Sequence, residues 1–98
     1  MNIIEWLESR HIKANNAKMI QQAFIHSSYA HEHKSKNDNE RLEFMGDAVL
    51  QLWSSNAIYP LNLSEGHMTR LRAQLVCEKA LAIYGRQLHL NDYLLLGS

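Results

Sequence analysis

Apolar positions along this chain recur with a helical period and nowhere alternate with the two-residue period of a strand. Ile3, Ile4 and Leu7 follow Asn2 at helical spacing, which predicts a first helix capped by Asn2 and ending at Ser9, with those three side chains facing inward. Asn15-Asn16 breaks the pattern before a second helix, expected from about Ala17 to His26. The stretch from Ala30 to Asn39 is polar and reads as an exposed loop. A third helix is predicted from about Glu40, after Asn39 as N-cap, to Ile58, ending before Pro60. Ser64 is the natural N-cap of a fourth helix through about Val76, and a fifth follows to about Leu88. There is no internal repeat, and the expected fold class is all-α, a helical bundle.

The third helix carries the most information. Wound at about 100° per residue, Glu40, Glu43 and Asp47 fall at roughly 0°, 300° and 340°, on one narrow stripe. Leu42, Met45, Val49, Leu52 and Trp53 fall at roughly 120° to 220°, which makes an apolar stripe on the opposite side. Like charges three and four residues apart destabilise a helix by roughly 0.2–0.5 kcal/mol per pair, and no basic residue shares the acidic stripe. A divalent cation would neutralise it, because Mg²⁺ takes hard oxygen ligands and is held by one or two carboxylates plus water and phosphate oxygens. The alternative is that acids in a first turn complement the helix dipole. That reading suits Glu40, suits Glu43 less, and suits Asp47 poorly, since Asp47 lies two turns in.

Two neighbours of these acids are irregular. Gly46 costs about 1 kcal/mol relative to Ala in a helix interior, which suggests that something approaches the backbone there. Phe44 falls at roughly 40°, off the apolar stripe and beside the acids. A large apolar side chain in that position is covered by another part of the chain or by a partner, and an interface is favoured if the fold leaves it exposed.

The run Asn39-Glu40-Arg41-Leu42-Glu43-Phe44-Met45-Gly46-Asp47-Ala48-Val49-Leu50 resembles the signature motif of the ribonuclease III family, the double-strand-specific endoribonucleases. Ala23-Phe24-Ile25-His26-Ser27-Ser28-Tyr29 resembles the family's upstream helix end, and Glu65-Gly66-His67-Met68-Thr69-Arg70-Leu71-Arg72-Ala73-Gln74-Leu75-Val76 resembles the segment after the signature. The first twenty residues match only loosely.

The resemblance implies a helical endonuclease domain that homodimerises and cuts double-stranded RNA with Mg²⁺, or Mn²⁺ in its place, leaving a 5′-phosphate and a 3′-hydroxyl. It implies that Glu43 and Asp47 are catalytic metal ligands, and that Glu40 and Glu65 lie at the RNA cleft or subunit contact. It also implies that Phe44 enters a socket on the other subunit. Family members complete the metal site with an Asp-x-x-Glu pair from a later helix, and no such pair occurs in these residues. Residues 1–98 are therefore expected to form a partial endonuclease domain without a double-stranded-RNA-binding domain, and to cleave RNA very weakly or not at all alone. A catalytically inactive dimerisation or interaction module is the alternative.

Composition adds bounds rather than direction. Ninety-eight residues with a formal net charge of zero fit one small domain or part of one. The zero hides an acidic middle: residues 37–65 carry five acids and one Arg, between segments with an excess of Lys and Arg. Bulk charge therefore gives no basic footprint for tight RNA binding. Arg70 and Arg72 are the candidates for phosphate contact, or alternatively for pairing with Glu40, Glu43 or Glu65. Six histidines lack the cysteine partners or His-x-x-x-His spacing of a zinc site, and His26 is expected to be structural at a helix end. The single cysteine, Cys77, is expected to be a small buried helix residue. Together with the absence of a membrane-length apolar run or a signal-peptide pattern, it suggests a cytoplasmic protein that engages no membrane, and the family resemblance adds the expectation of no small-molecule cofactor.

Overall fold

A computed structural model describes residues 1–98. The chain is all-α: α1 (Ile3–Ser9), α2 (Ala17–Ala23), α3 (Ser27–Glu32), α4 (Glu40–Ile58), α5 (Glu65–Leu75) and α6 (Glu78–Gln87), with 3₁₀ turns at Tyr59–Leu61 and Leu90–Tyr93. No helix is long and apolar enough to cross a membrane. The chain divides into two compact units, Met1–Glu43 with Asn91–Ser98, and Phe44–Leu90.

In the first unit, α1 opens with a full capping box. Asn2 Oδ1 accepts from Glu5 N–H at 2.9 Å, and Asn2 N–H donates to Glu5 Oε1 at 3.1 Å. Ile3 is buried and Ile4 and Leu7 are half-buried, as the spacing requires. Tyr93 packs against two aromatic rings, Trp6 at 6.4 Å and Phe24 edge-on at 6.5 Å between centroids. Arg10 lies 4.4 Å over the Trp6 ring, a cation–π contact.

The second predicted helix is two. α2 stops at Ala23, and α3 begins at Ser27 because His26 serves as its N-cap, with Nδ1 accepting from Ser28 N–H at 3.1 Å. Between them Ile25 forms an isolated parallel bridge with Leu95. His26 N–H donates to Leu95 O at 3.0 Å, and Leu95 N–H donates to Phe24 O at 2.8 Å. Ala30, expected in a loop, is a buried helical residue. The capping oxygen before α4 also differs from expectation: Asp38 Oδ1 accepts from Glu40 N–H at 3.0 Å. The Asn39 amide instead donates to Ala23 O at 3.1 Å, tying the start of α4 to the end of α2.

In the second unit, α4 turns its most protected positions along Gly46, Leu50, Ser54 and Ile58, every fourth residue. Ser54 is fully buried, and its hydroxyl lies 2.8 Å from Leu50 O and 3.1 Å from Gln51 O, so no polar group is stranded. The apolar stripe opposite the acids is largely left uncovered by residues 1–98. Leu42 is half-buried, but Met45, Val49, Leu52 and Trp53 are all at least 60% exposed. Periodicity identifies an apolar face; only a partner surface can bury it. α5 opens behind Ser64, whose Oγ accepts from His67 N–H at 3.2 Å. Cys77 is exposed rather than buried and caps α6, its sulfur accepting from Ala80 N–H at 3.4 Å.

Candidate functional site

The acidic edge of α4 is where the sequence places it. Glu40, Glu43 and Asp47 are all exposed on the first two turns of one continuous helix, with Glu43 and Asp47 four residues apart. Glu43 N–H donates to Asn39 O at 2.8 Å, so the helix is regular from its first turn. The Asp38 cap and the Asn39 bond to α2 anchor the turn that carries Glu40 and Glu43. No group of three or more His, Cys, Asp or Glu side chains is placed to hold a metal ion. The donor set is thus a pair of exposed hard-oxygen ligands one turn apart. It fits a hydrated Mg²⁺, which takes one or two carboxylates and fills its remaining positions with water and phosphate oxygens.

A Cβ built on Gly46 meets nothing within 4 Å. No segment of this chain presses on the helix there. Phe44 is 78% exposed, so the chain does not cover it. Met45, Val49, Leu52 and Trp53 form a second exposed apolar group, on the other side of α4 from the acids.

The second unit holds the other candidates. Arg72 is half-buried and donates through Nη1 to Ser55 Oγ at 2.9 Å, joining α5 to α4. Ser55 in turn donates to Gln51 O at 2.6 Å. Arg72 is therefore a fold-holding residue, bound to a hydroxyl instead of the carboxylates weighed from sequence. Arg70 is exposed, and its Nη1 lies 3.5 Å from where a Cβ on Gly66 would stand, so the guanidinium folds back over the first turn of α5. Glu65 begins α5 and lines a cavity of about 200 Å³ with Arg72, Thr69, Met68, Ser55, Ile58 and Tyr59. Ser55 and Thr69 were not singled out by sequence. Their only signal is that Ser55 falls three residues before the buried Ile58 and Thr69 four residues after Glu65, spacing that acquires meaning only when α4 and α5 are paired.

Known proteins similar to this chain agree with one another. Residues 16–98 match the family model described as Ribonuclease-III-like. Ribonuclease 3 of Listeria innocua is 47% identical over 98 residues, which cover 95% of this chain and 42% of that protein. Ribonuclease 3 of Halalkalibacterium halodurans is 48% identical over 97 residues, covering 95% of this chain and 37% of that protein. Among solved structures, a nuclease domain of ribonuclease III from Campylobacter jejuni, described for flexibility in a region involved in its dimer formation, superposes with a TM-score of 0.86 at 34% identity. That alignment covers 98% of this chain and 66% of the solved one. The chain spans less than half the length of the full-length relatives it matches.

Proposed function

This chain belongs to the ribonuclease III family, and from that premise we propose that it is part of the endonuclease domain of a Mg²⁺-dependent, double-strand-specific endoribonuclease. The observation that carries the reading is the exposed Glu43–Asp47 pair on regular helix, at the positions the signature motif assigns to metal ligands. When bound, Mg²⁺ supplies an activated water and charge stabilisation for phosphodiester hydrolysis giving 5′-phosphate and 3′-hydroxyl ends. Glu43 and Asp47 offer the carboxylate oxygens that hold and orient the ion, with Mn²⁺ as a substitute. Arg70, exposed and free of the fold-holding duty of Arg72, offers a donor to backbone phosphate. Glu40 and Glu65 belong to the rim of the RNA cleft or subunit contact. Phe44 and the second exposed apolar group of α4 support homodimerisation, which completes a working enzyme. The protein works on RNA in the cytoplasm and needs no membrane.

One observation favours a second reading. Phe44, 78% exposed, stands beside the two carboxylates, and Met45, Val49, Leu52 and Trp53 are exposed on the other side of the helix. A dimerisation module that has lost catalysis would look the same, and the two readings separate on metal binding. Paramagnetic Mn²⁺ added to the labelled chain is expected to broaden amide signals around residues 43–47, and Asp47→Asn to remove the effect. Any cleavage of double-stranded RNA is expected to be slow, to need Mg²⁺, and to vanish in Asp47→Asn. Broadening centred elsewhere, or cleavage indifferent to Asp47→Asn, would exclude the proposed site; a chain that binds no Mn²⁺ but still dimerises would establish the second reading.

A further inference from the structure

Three hydrogen bonds converge on Ser28 and His26 and join a helix cap to residues 95–98. His26 Nδ1 accepts from Ser28 N–H at 3.1 Å and stands 2.7 Å from Ser28 Oγ. The same Oγ accepts from Gly97 N–H at 2.9 Å. A hydroxyl has one proton, so the arrangement is satisfied when Ser28 donates to Nδ1 while accepting from Gly97. The cap bond from Ser28 N–H is what requires Nδ1 to be bare, with the proton of the neutral imidazole on Nε2.

A proton on Nδ1 reverses this geometry. The ring would then present an N–H to the Ser28 amide N–H, so α3 would lose its cap, and the Ser28 hydroxyl would turn from donor to acceptor at Nδ1, its two lone pairs then shared between Nδ1–H and the Gly97 N–H. The seat of Gly97 leaves little slack: a Cβ there would lie 2.7 Å from Ser28 O and 3.1 Å from Glu32 Oε2. A turn of the Ser28 hydroxyl or a shift in the first turn of α3 is thus felt by the segment directly.

We propose that His26, acting through Ser28, is a proton-operated latch on the segment Leu95–Ser98, seated while the imidazole is neutral and loosened when it becomes imidazolium. Histidine is the side chain whose ordinary titration lies between pH 5 and 8. The ionisable groups on the surrounding elements are Lys18 on α2, Tyr29, His31 and Glu32 on α3, His33 as its C-cap, Asp38 before α4, and Asp92 and Tyr93 in the last 3₁₀ turn; residues 94–98 carry no ionisable side chain. Two of these have fixed parts. Glu32 holds the segment separately, accepting from Ser98 N–H at 3.0 Å and Ser98 Oγ at 3.1 Å. His33 Nδ1 stands 2.9 Å from Tyr29 O, a carbonyl that can only accept, so that ring keeps its bond in either charge state.

The test is an NMR titration of the 98-residue chain from pH 8 to pH 5, following the His26 ring nitrogens and the exchange protection of the Gly97 amide. The Nε2–H tautomer is expected at pH 8, with Gly97 protection falling about tenfold, the order expected for one lost hydrogen bond, at the midpoint of the His26 titration. His26→Asn keeps a capping oxygen that does not titrate, and its Gly97 protection should stay constant over the same range. Ser28→Ala should leave Gly97 poorly protected at every pH. An Nδ1–H tautomer at pH 8, protection that holds while His26 titrates, or an equal loss in His26→Asn would each overturn the latch.

Discussion

Arg72 donates through Nη1 to the hydroxyl of Ser55 across 2.9 Å, and this bond joins α5 to the last turn of α4. A half-buried guanidinium held this way is part of the scaffold, whereas Arg70, two residues earlier, is exposed and folded over its own helix. Arg72→Ala is expected to lower unfolding stability by about 1.5–3 kcal/mol, the range for removing a hydrogen bond to a charged group. Arg70→Ala should stay within about 0.5 kcal/mol of wild type, as an exposed substitution does. Urea denaturation of both variants checks the contrast. Equal losses would mean that the two arginines share the structural role.

Two glycines should respond in opposite directions to alanine. Gly97 sits where a Cβ would press within 2.7 Å of Ser28 O, a backbone atom that cannot swing aside. Gly97→Ala is expected to cost about 1–3 kcal/mol, the typical range for overpacking, or to unseat residues 95–98. Gly46, inside α4, has open space where its Cβ would be. Gly46→Ala should therefore stabilise the chain by up to about 1 kcal/mol through helix propensity. Thermal melts of the two variants should move apart from wild type in opposite senses.

Glu32 makes stability depend on acid. The Ser98 backbone N–H, then the Ser98 hydroxyl, hold its carboxyl below the usual carboxylate range. A group whose pKa is depressed by folding stabilises the native state above its unfolded pKa, and that contribution is lost as pH falls through the folded value. The stability gap between wild type and Glu32→Gln is expected to be present at neutral pH and to close below the ordinary carboxylate range. Denaturation curves between pH 7 and pH 2 would show it; a gap that widens on acidification would contradict the assignment.

Phe44 tests the interface. Because it is 78% exposed, Phe44→Ala should change the stability of the isolated chain by less than about 0.5 kcal/mol. It should nevertheless weaken self-association. Sedimentation equilibrium is expected to show a dimer for wild type and a shift towards monomer for the variant. Identical monomers in both samples would remove Phe44 from the interface.

The limits of α4 were legible because they are local. A polar run precedes Glu40, Pro60 cannot continue the helix, and every position between them tolerates helical backbone. The caps of α1 and α5 were legible for the same reason: Asn2 and Ser64 bond within three residues of themselves. The break between α2 and α3 was not, because its cap is a histidine ring and its bridge partner, Leu95, lies seventy positions away. Cys77 as the cap of α6 was similarly hidden, since sulfur is a weak acceptor and cysteine is outside the usual capping set.

The sequence by itself determined the limits of α1, α4 and α5, the acidic edge of Glu40, Glu43 and Asp47, and the family, because each is written in local spacing and residue chemistry. Only the tertiary structure decided what each face meets. It left Phe44, Met45, Val49, Leu52 and Trp53 exposed, gave Arg72 to Ser55, and set Gly97 on Ser28. Periodicity fixes which side chains share a face, but burial depends on whether another surface arrives, and that is set by contacts between residues far apart in the chain.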